Sequence, residues 1–488
     1  MEVQLAYDHR TQVTTTFNSS ALDFAANTRR LPVVFNGAVK EPYLMRQLMV
    51  AVQDVILGDY SWEGQMWVLD PVITVHPDEL FFEAFSQDES AYVRLSADMD
   101  AFKPRGDTTY GTTNIDFTFA LRDAMLDMRS SRETSFTVGR SGFGVATATD
   151  DTAPKRHFEQ KVDVPDNWVR GFLQVQAALM MKPFTFEVQP AHLLSAINYL
   201  LENKARRPPK GLRYQFTPGE PARVILEPWD KAFTFHGAAY DGYERTIRVW
   251  GRKRLELLQR VLPYADKVTI GLLGRGLPHF YICHCGAFNF MLALSGWVEN
   301  DWSQGSSFDL MQQESISDEQ IATVYNALTQ NLVMKFGELK AHTLLEANLL
   351  EAALLHLCKV GRAIYDPVKH RYRSRKLFHE PVDFKTLFAP PPVVQRAQEL
   401  IDSGQVQVNQ VFPSDVRKNE VKVLADVHDE TDHSVLVAVD KDMRIRFATC
   451  ECKFFREHVM SKGPCEHILA ARLAADEQLQ RFETVQTV

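Results

Sequence analysis

A chain of 488 residues is too long for one hydrophobic core, so three or four domains are expected. Its 45% apolar and 24% charged residues are those of an ordinary globular protein, and a formal net charge of −8 argues against indiscriminate nucleic-acid binding while leaving room for a local basic patch. No run of eighteen apolar residues exists, so no membrane span is expected; the first ten residues lack the basic and apolar regions of a secretory signal, and six cysteines point to a reducing cytoplasm rather than a disulfide framework.

Residues 1–30 are polar and weakly periodic, and 14–20 read either as a loop or as an added strand. Residues 31–164 read as an α+β domain. A strand at 32–37 is followed by helical spacing over 43–57 and by strands at 72–75, 80–85 and 92–95. Residues 106–114 are rich in Gly and Thr and read as a loop, with a short helix over 117–128. The glycine-rich run 139–144 lacks the Lys-Ser/Thr pair of a P-loop and reads as a hairpin turn.

A second α+β unit is expected over 165–312. Helices at 168–181 and 191–201 precede strands at 213–216, 223–227, 232–235 and 246–250. A helix over 252–262 and strands at 268–273, 279–285 and 288–294 follow. Cys283-His284-Cys285 offers three ligand types, but on a strand His284 points away from both cysteines, so buried thiols are expected. Arg245, Arg248, Arg252, Lys253 and Arg254 cluster; they could contact phosphate or simply solvate the start of a helix. Gly271 to Gly276 is not followed by a helix, which removes a dinucleotide site.

The third unit, 315–385, opens with Ser317 and Gln320 spaced as a capping box. Helices are expected over 317–330, 336–341 and 346–360, the last with Leu349, Ala352, Ala353 and Leu357 inward and Gly361 as its stop. A hairpin follows, from Ala363 to Leu377. Three helices and a hairpin resemble a winged helix-turn-helix. Arg362, Lys369, Arg371, Arg373, Arg375 and Lys376 make the hairpin basic, with Asp366 the one acid among them, as a phosphate-binding wing would be. Yet the third helix has Glu346 and Glu351 and no Arg or Lys before Lys359, whereas guanine readout in a major groove uses such side chains. DNA contact and protein docking both remain open for this unit.

Ala389-Pro-Pro-Pro392 reads as a linker, and 393–488 as a separate module. A short helix at 394–403 leads to strands at 421–427, 434–439 and 444–449. Cys450-Glu451-Cys452 leaves the last strand; after twelve residues comes Cys465-Glu466-His467, opening a helix behind Pro464. Three thiolates and an imidazole are the donors of a tetrahedral zinc site, and four protein ligands close it. Zn2+ held by Cys450, Cys452, Cys465 and His467 is therefore expected, with His458 outside the set. The module has sixteen acidic residues against twelve basic ones, a net near −4, which suits a protein partner better than DNA. Lys453, Arg456 and Lys462, between the ligand pairs, are the candidates for a polar contact surface.

The pattern C-x-C, spacer, C-x-H resembles the SWIM zinc finger. With Arg248 to Arg254, Gly274 to Pro278 and Leu294 to Trp297, the chain resembles bacterial SWIM zinc-finger proteins, often encoded beside MoxR-type AAA+ ATPases and von Willebrand A domain proteins. That resemblance implies an adaptor or recognition subunit of an ATPase-driven system. The expected fold class is multidomain α+β: two α+β units, a winged-helix-like unit and a C-terminal ββα zinc module. No P-loop, G-x-S-x-G or H-E-x-x-H is present, so a non-enzymatic protein is expected. It would bind a protein partner, a nucleic acid or both, in an ATPase-associated, defence-like system; the alternative is a DNA-binding regulator acting through the winged helix.

Overall fold

Every residue of Glu79–Phe85 is buried, so this strand is covered on both faces. Successive side chains of a strand point to opposite sides. Phe82 faces one way and meets Phe136 and Phe143 edge-on, with ring centroids 6.5 and 5.8 Å away. Glu79, Phe81, Glu83 and Phe85 face the other way, towards residues far along the chain. The computed structural model describes residues 11–16, 19–23, 33–58, 71–114, 119–131, 133–139, 142–148, 158–159, 166–206, 210–274, 277–296, 302, 316–375, 392–414, 420–440, 445–460, 463–476 and 478–479.

That strand belongs to an eight-stranded sheet in the order β12 (Phe184–Val188), β17 (Lys267–Leu272), β18 (His279–Cys285), β19 (Phe288–Leu294), β6 (Ala91–Asp98), β5 (Glu79–Phe85), β4 (Val72–Val75) and β8 (Gly111–Asn114). All its pairings are antiparallel. β19 and β6 pair from Phe288↔Ala97 to Leu294↔Ala91. Strands from either side of the expected 164/165 boundary thus share one sheet, and their buried residues form one core. Alternation shows which face of a strand is apolar but not which strand lies beside it.

A seven-stranded sheet packs on this one, in the order β11 (Phe158–Glu159), β1 (Thr11–Thr16), β2 (Ser19–Asp23), β10 (Gly142–Ala148), β9 (Thr134–Gly139), β3 (Phe35–Val39) and β7 (Phe102–Pro104). Helix α1 (Pro42–Ile56) lies on β5 and β6, and α2 (Phe119–Leu126) lies on α1. Helices α3 (Asp166–Met180) and α4 (Pro190–Glu202) follow. Residues 111–114, expected in a loop, supply β8. Residues 252–262, expected as one α-helix, are 3-10 turns at Arg252–Leu258 and Leu262–Tyr264.

A four-stranded sheet runs β15 (Lys231–Thr234), β14 (Arg223–Leu226), β13 (Leu212–Phe216) and β16 (Arg245–Val249). Its inner rings Tyr214 and Phe216 pack on Phe186 of β12 at 5.8 and 4.9 Å, and the Tyr214 and Tyr281 hydroxyls lie 3.0 Å apart.

Residues 316–375 hold α5 (Asp318–Asn331), α6 (Phe336–Thr343) and α7 (Ala347–Lys359) with a three-stranded sheet in the order β20 (Val333–Lys335), β22 (Arg371–Ser374) and β21 (Ala363–Asp366). The capping box forms: Ser317 Oγ accepts from the Gln320 N–H, and the Gln320 side chain accepts from the Ser317 N–H. Gly361 takes the left-handed conformation that stops α7, with φ 68°. The buried stripe of α7 is Leu350, Ala353, Leu354, Leu357 and Cys358, so Leu349 and Ala352 sit at its margins. The stripe is rotated from expectation because α7 packs on two sides, against α5 and against α3.

The last unit has its own core. Its sheet runs β23 (Val406–Pro413), β24 (Glu420–His428), β25 (Asp432–Asp440) and β26 (Ile445–Thr449). Helices α8 (Pro392–Asp402) and α10 (Glu466–Ala474) pack together, with α10 on the sheet; α9 (Lys453–His458) lies between the ligand pairs. The module is therefore larger than a ββα unit. β23 was missed because Val406, Val408 and Val411 alternate with polar residues in only half-buried positions.

Candidate metal centre and basic hairpin

Each ligand pair is delivered by the end of an element. Cys450 follows β26, and Cys452 is the N-cap of α9, where its Sγ accepts from the Phe455 N–H at 3.3 Å. Cys465 caps α10 and His467 lies in that helix's first turn. All four residues are buried, and their donor atoms lie within 4.8 Å of one another. Bonds of about 2.0–2.3 Å to tetrahedral zinc place ligand atoms about 3.5–3.8 Å apart. Cys450 Sγ and His467 Nδ1 are 3.8 Å apart. The donor set and its spacing fit zinc.

The ring is oriented from behind. His467 presents Nδ1 to the thiols, and its Nε2–H donates to Asp429 Oδ2 at 3.3 Å. Asp429 is itself held by Arg396 of α8 at 2.5 Å, and the His433 ring lies 4.2 Å from the His467 ring. A carboxylate behind a metal-binding histidine fixes tautomer and orientation and raises the basicity of the ligand. Asp429, Arg396 and His433 gave no signal in the sequence beyond a turn acid, a helix arginine and a strand histidine.

Electrostatically the cluster favours negative charge on Cys450. Donation from Cys465, with His467 and the Cys452 N–H adding, lowers the Cys450 thiol to about 4. The hydrogen bond to Cys450, together with burial, pushes Cys465 up, and burial pushes Cys452 up. Three thiols around one point cannot share negative charge unaided; a divalent cation at their centre makes all three thiolates favourable.

The basic hairpin lies elsewhere and is not a phosphate-facing wing. Arg373 and Arg375 have side-chain exposures of 0% and 2%. Arg373 pairs with Asp78, with Glu79 at 3.1 Å and with Asp366 at 2.7 Å, and Arg375 pairs with Glu83 at 2.9 Å. Lys369 reaches Asp98 at 2.7 Å and Glu79 at 3.3 Å, and Arg371 reaches Asp78 at 3.2 Å; both are partly exposed. Arg94 of β6 pairs with Glu79 in the same layer. Five cations thus meet the carboxylates of Asp78, Glu79, Glu83, Asp98 and Asp366 against the outer face of β5 and β6. Burial opposes ionisation of Asp366, but Arg94 and Arg373 hold its carboxyl down to about 2. The expectation of phosphate contact fails for Arg373 and Arg375 because their charge is already matched away from water. Arg362 is half-buried near the Tyr325 ring, and Lys376 lies outside the described residues.

The remaining motifs separate. Cys283 and Cys285 are buried, while His284 points to the other side and meets Thr269 at 2.9 Å. Arg254, expected at the surface, is buried. Lys453 and Arg456 lie on α9 and are exposed; Lys462 lies outside the described residues. No described helix is long and apolar enough to cross a membrane.

Among curated proteins none matches this chain. Among solved structures, proliferating cellular nuclear antigen from Entamoeba histolytica is 12% identical with a TM-score of 0.39, the match covering 54% of this chain and 98% of that one. The structure of the C-terminal region of FEN-1 bound to A. fulgidus PCNA gives 12% identity and a TM-score of 0.38, covering 55% of this chain and 100% of that one. Likeness at that level carries no argument about this chain. Residues 435–476 match the model of the SWIM zinc finger, and all four donors fall inside that stretch, so Cys450, Cys452, Cys465 and His467 form a zinc-binding site of SWIM type.

Proposed function

We propose that this chain is a non-enzymatic, zinc-stabilised recognition protein that engages a protein partner through its C-terminal module. The observation that carries this reading is the closed donor set. Four protein ligands leave no position for substrate or for a catalytic water, so the metal contributes a shaped surface rather than chemistry. Flanking the ligand pairs in sequence, Phe447 and Val459 are 49% and 63% exposed, and Lys453 and Arg456 are exposed close to Val459 along the chain. Apolar anchors with a charged rim suit a protein partner.

Residues 316–375 are read as a winged-helix-like unit used as an internal bracket. Its third helix packs on α3 and its hairpin pairs with β5 and β6. That use takes support from the alternative of a DNA-binding regulator acting through this unit. The resemblance to SWIM proteins encoded beside AAA+ ATPases and von Willebrand A domain proteins supplies the partner classes to examine first, in a cytoplasmic setting. The test compares tagged wild-type chain with a Phe447→Ser/Val459→Ser variant recovered from the native host. A partner retained by the wild type and lost by a variant of unchanged zinc content is the expected result. A variant that keeps every partner contradicts docking through this surface.

A further inference from the structure

With Arg373 and Arg375 buried, the longest run of surplus basic residues lies elsewhere. Residues 204–254 carry twelve Lys or Arg against five Asp or Glu, a net of +7 in a chain whose net charge is −8. They run from the end of α4 through the four-stranded sheet. Tyr214, Val224 and Ile247 of that sheet are buried on its inner face. Register places Arg213 opposite both Ile225 and Arg248, and Gln215 opposite both Arg223 and Thr246. Arg213, Arg223 and Arg248 therefore share the outward face, and period-two alternation continues it to Glu227 and Trp250.

The face is built around one carboxylate. Buried Glu227 meets Arg213 at 3.0 Å and Arg248 at 2.6 Å. Both guanidinium groups still reach water, with side-chain exposures of 31% and 23%. The Arg248 guanidinium lies 4.2 Å from the centre of the Trp250 ring. Exposed Asp230 pairs with Arg213, leaving the face with surplus positive charge. Exposed Lys210 immediately precedes the sheet, and exposed Lys204 and Arg206 follow α4. Gly211 then passes so close that a Cβ there would stand 2.9 Å from Glu227 and 3.1 Å from both Arg248 and Trp250.

We infer that this outward face is a platform for single-stranded nucleic acid. Arg213, Arg223 and Arg248, with Lys204, Arg206 and Lys210, take the phosphates, and a base stacks at half-buried Trp250. Basic side chains interleaved with aromatic rings are the recognition chemistry of unpaired strands. A duplex keeps its base faces inside the stack, and an acidic peptide lacks a planar group at every unit. The inference concerns a different surface from the zinc module and does not depend on its partner.

The test is fluorescence anisotropy of the full-length, zinc-loaded chain with labelled oligo-dT of about 20 nucleotides, RNA of the same length and the corresponding DNA duplex, between about 50 and 200 mM salt. Single strands are expected to bind at least about tenfold more tightly than duplex, and the DNA and RNA arms show which backbone is preferred. Lys204→Gln/Arg206→Gln/Lys210→Gln changes three exposed side chains. It should weaken single-strand binding about tenfold and flatten the salt slope by about two. Trp250→Leu should weaken single strands while sparing residual duplex binding. Equal affinity for duplex, competition by polyglutamate as strong as by unlabelled oligo-dT, or a triple variant that binds like wild type would each overturn the inference.

Discussion

Asp429 Oδ2 lies 3.3 Å from His467 Nε2, across thirty-eight residues of chain, and Arg396 holds the carboxylate in place. The pair fixes which nitrogen of His467 faces the thiols. Asp429→Asn should therefore lower zinc affinity by about 10–100-fold without removing a ligand. Competition with a chromophoric chelator measures it. Affinity equal to wild type would show that the carboxylate does not orient the ring.

Arg373, whose side chain has no exposed surface, pairs with Asp78 and Glu79 at the start of β5 and with Asp366 of its own hairpin, and so joins residues 316–375 to the central sheet. Removing one member of such a group leaves buried charge unmatched, at a cost of about 3–5 kcal/mol. Arg373→Met should lower the stability of that assembly by this amount in urea titration. A loss below about 1 kcal/mol would mean that water reaches these carboxylates.

Two buried histidines set a pH dependence. Burial pushes His76 and His279 down to about 3, so both are neutral in the folded chain at mildly acidic pH. The unfolded chain binds those protons at about pH 6.5. Stability from this source is complete above pH 6.5 and falls towards pH 3, by about 1.4 kcal/mol per pH unit for each histidine. His76 stacks on Phe81 with ring centroids 6.0 Å apart, and neither of its ring nitrogens has a hydrogen-bond partner among the described residues. His76→Phe keeps the stack and should reduce the slope between about pH 6 and pH 4 by one proton. Urea titrations across that range measure it, and an unchanged slope would place the His76 proton uptake in the folded state.

The zinc ligands were legible because each pair spans three residues and the chain itself sets the donors side by side. Asp429 was not, since nothing in a turn acid names a histidine thirty-eight residues later. The hairpin misled for the same reason. Arg371, Arg373 and Arg375 alternate along a strand as a phosphate-facing ribbon would, but their partners Asp78 and Glu83 come 292–295 residues earlier. Most individual strands of the central sheet were readable from apolar alternation. Their union was not, because the pairing of β19 with β6 is a choice among many apolar edges.

Zinc closes the C-terminal module, where all four donors sit at element ends and three of them lie in its core. A structural zinc contributes on the order of 10–16 kcal/mol to small metal-held folds, so this module should not outlast its loss. The direct measurement is metal content by mass spectrometry of the full-length chain, purified under reducing conditions, alongside thermal melts of wild type and Cys465→Ser. One zinc per wild-type chain is expected. Cys465→Ser should lose the metal and the transition of residues 392–479, while residues 33–375 still melt cooperatively. A wild-type protein free of zinc, or a Cys465→Ser protein with its full zinc content, would overturn the structural zinc.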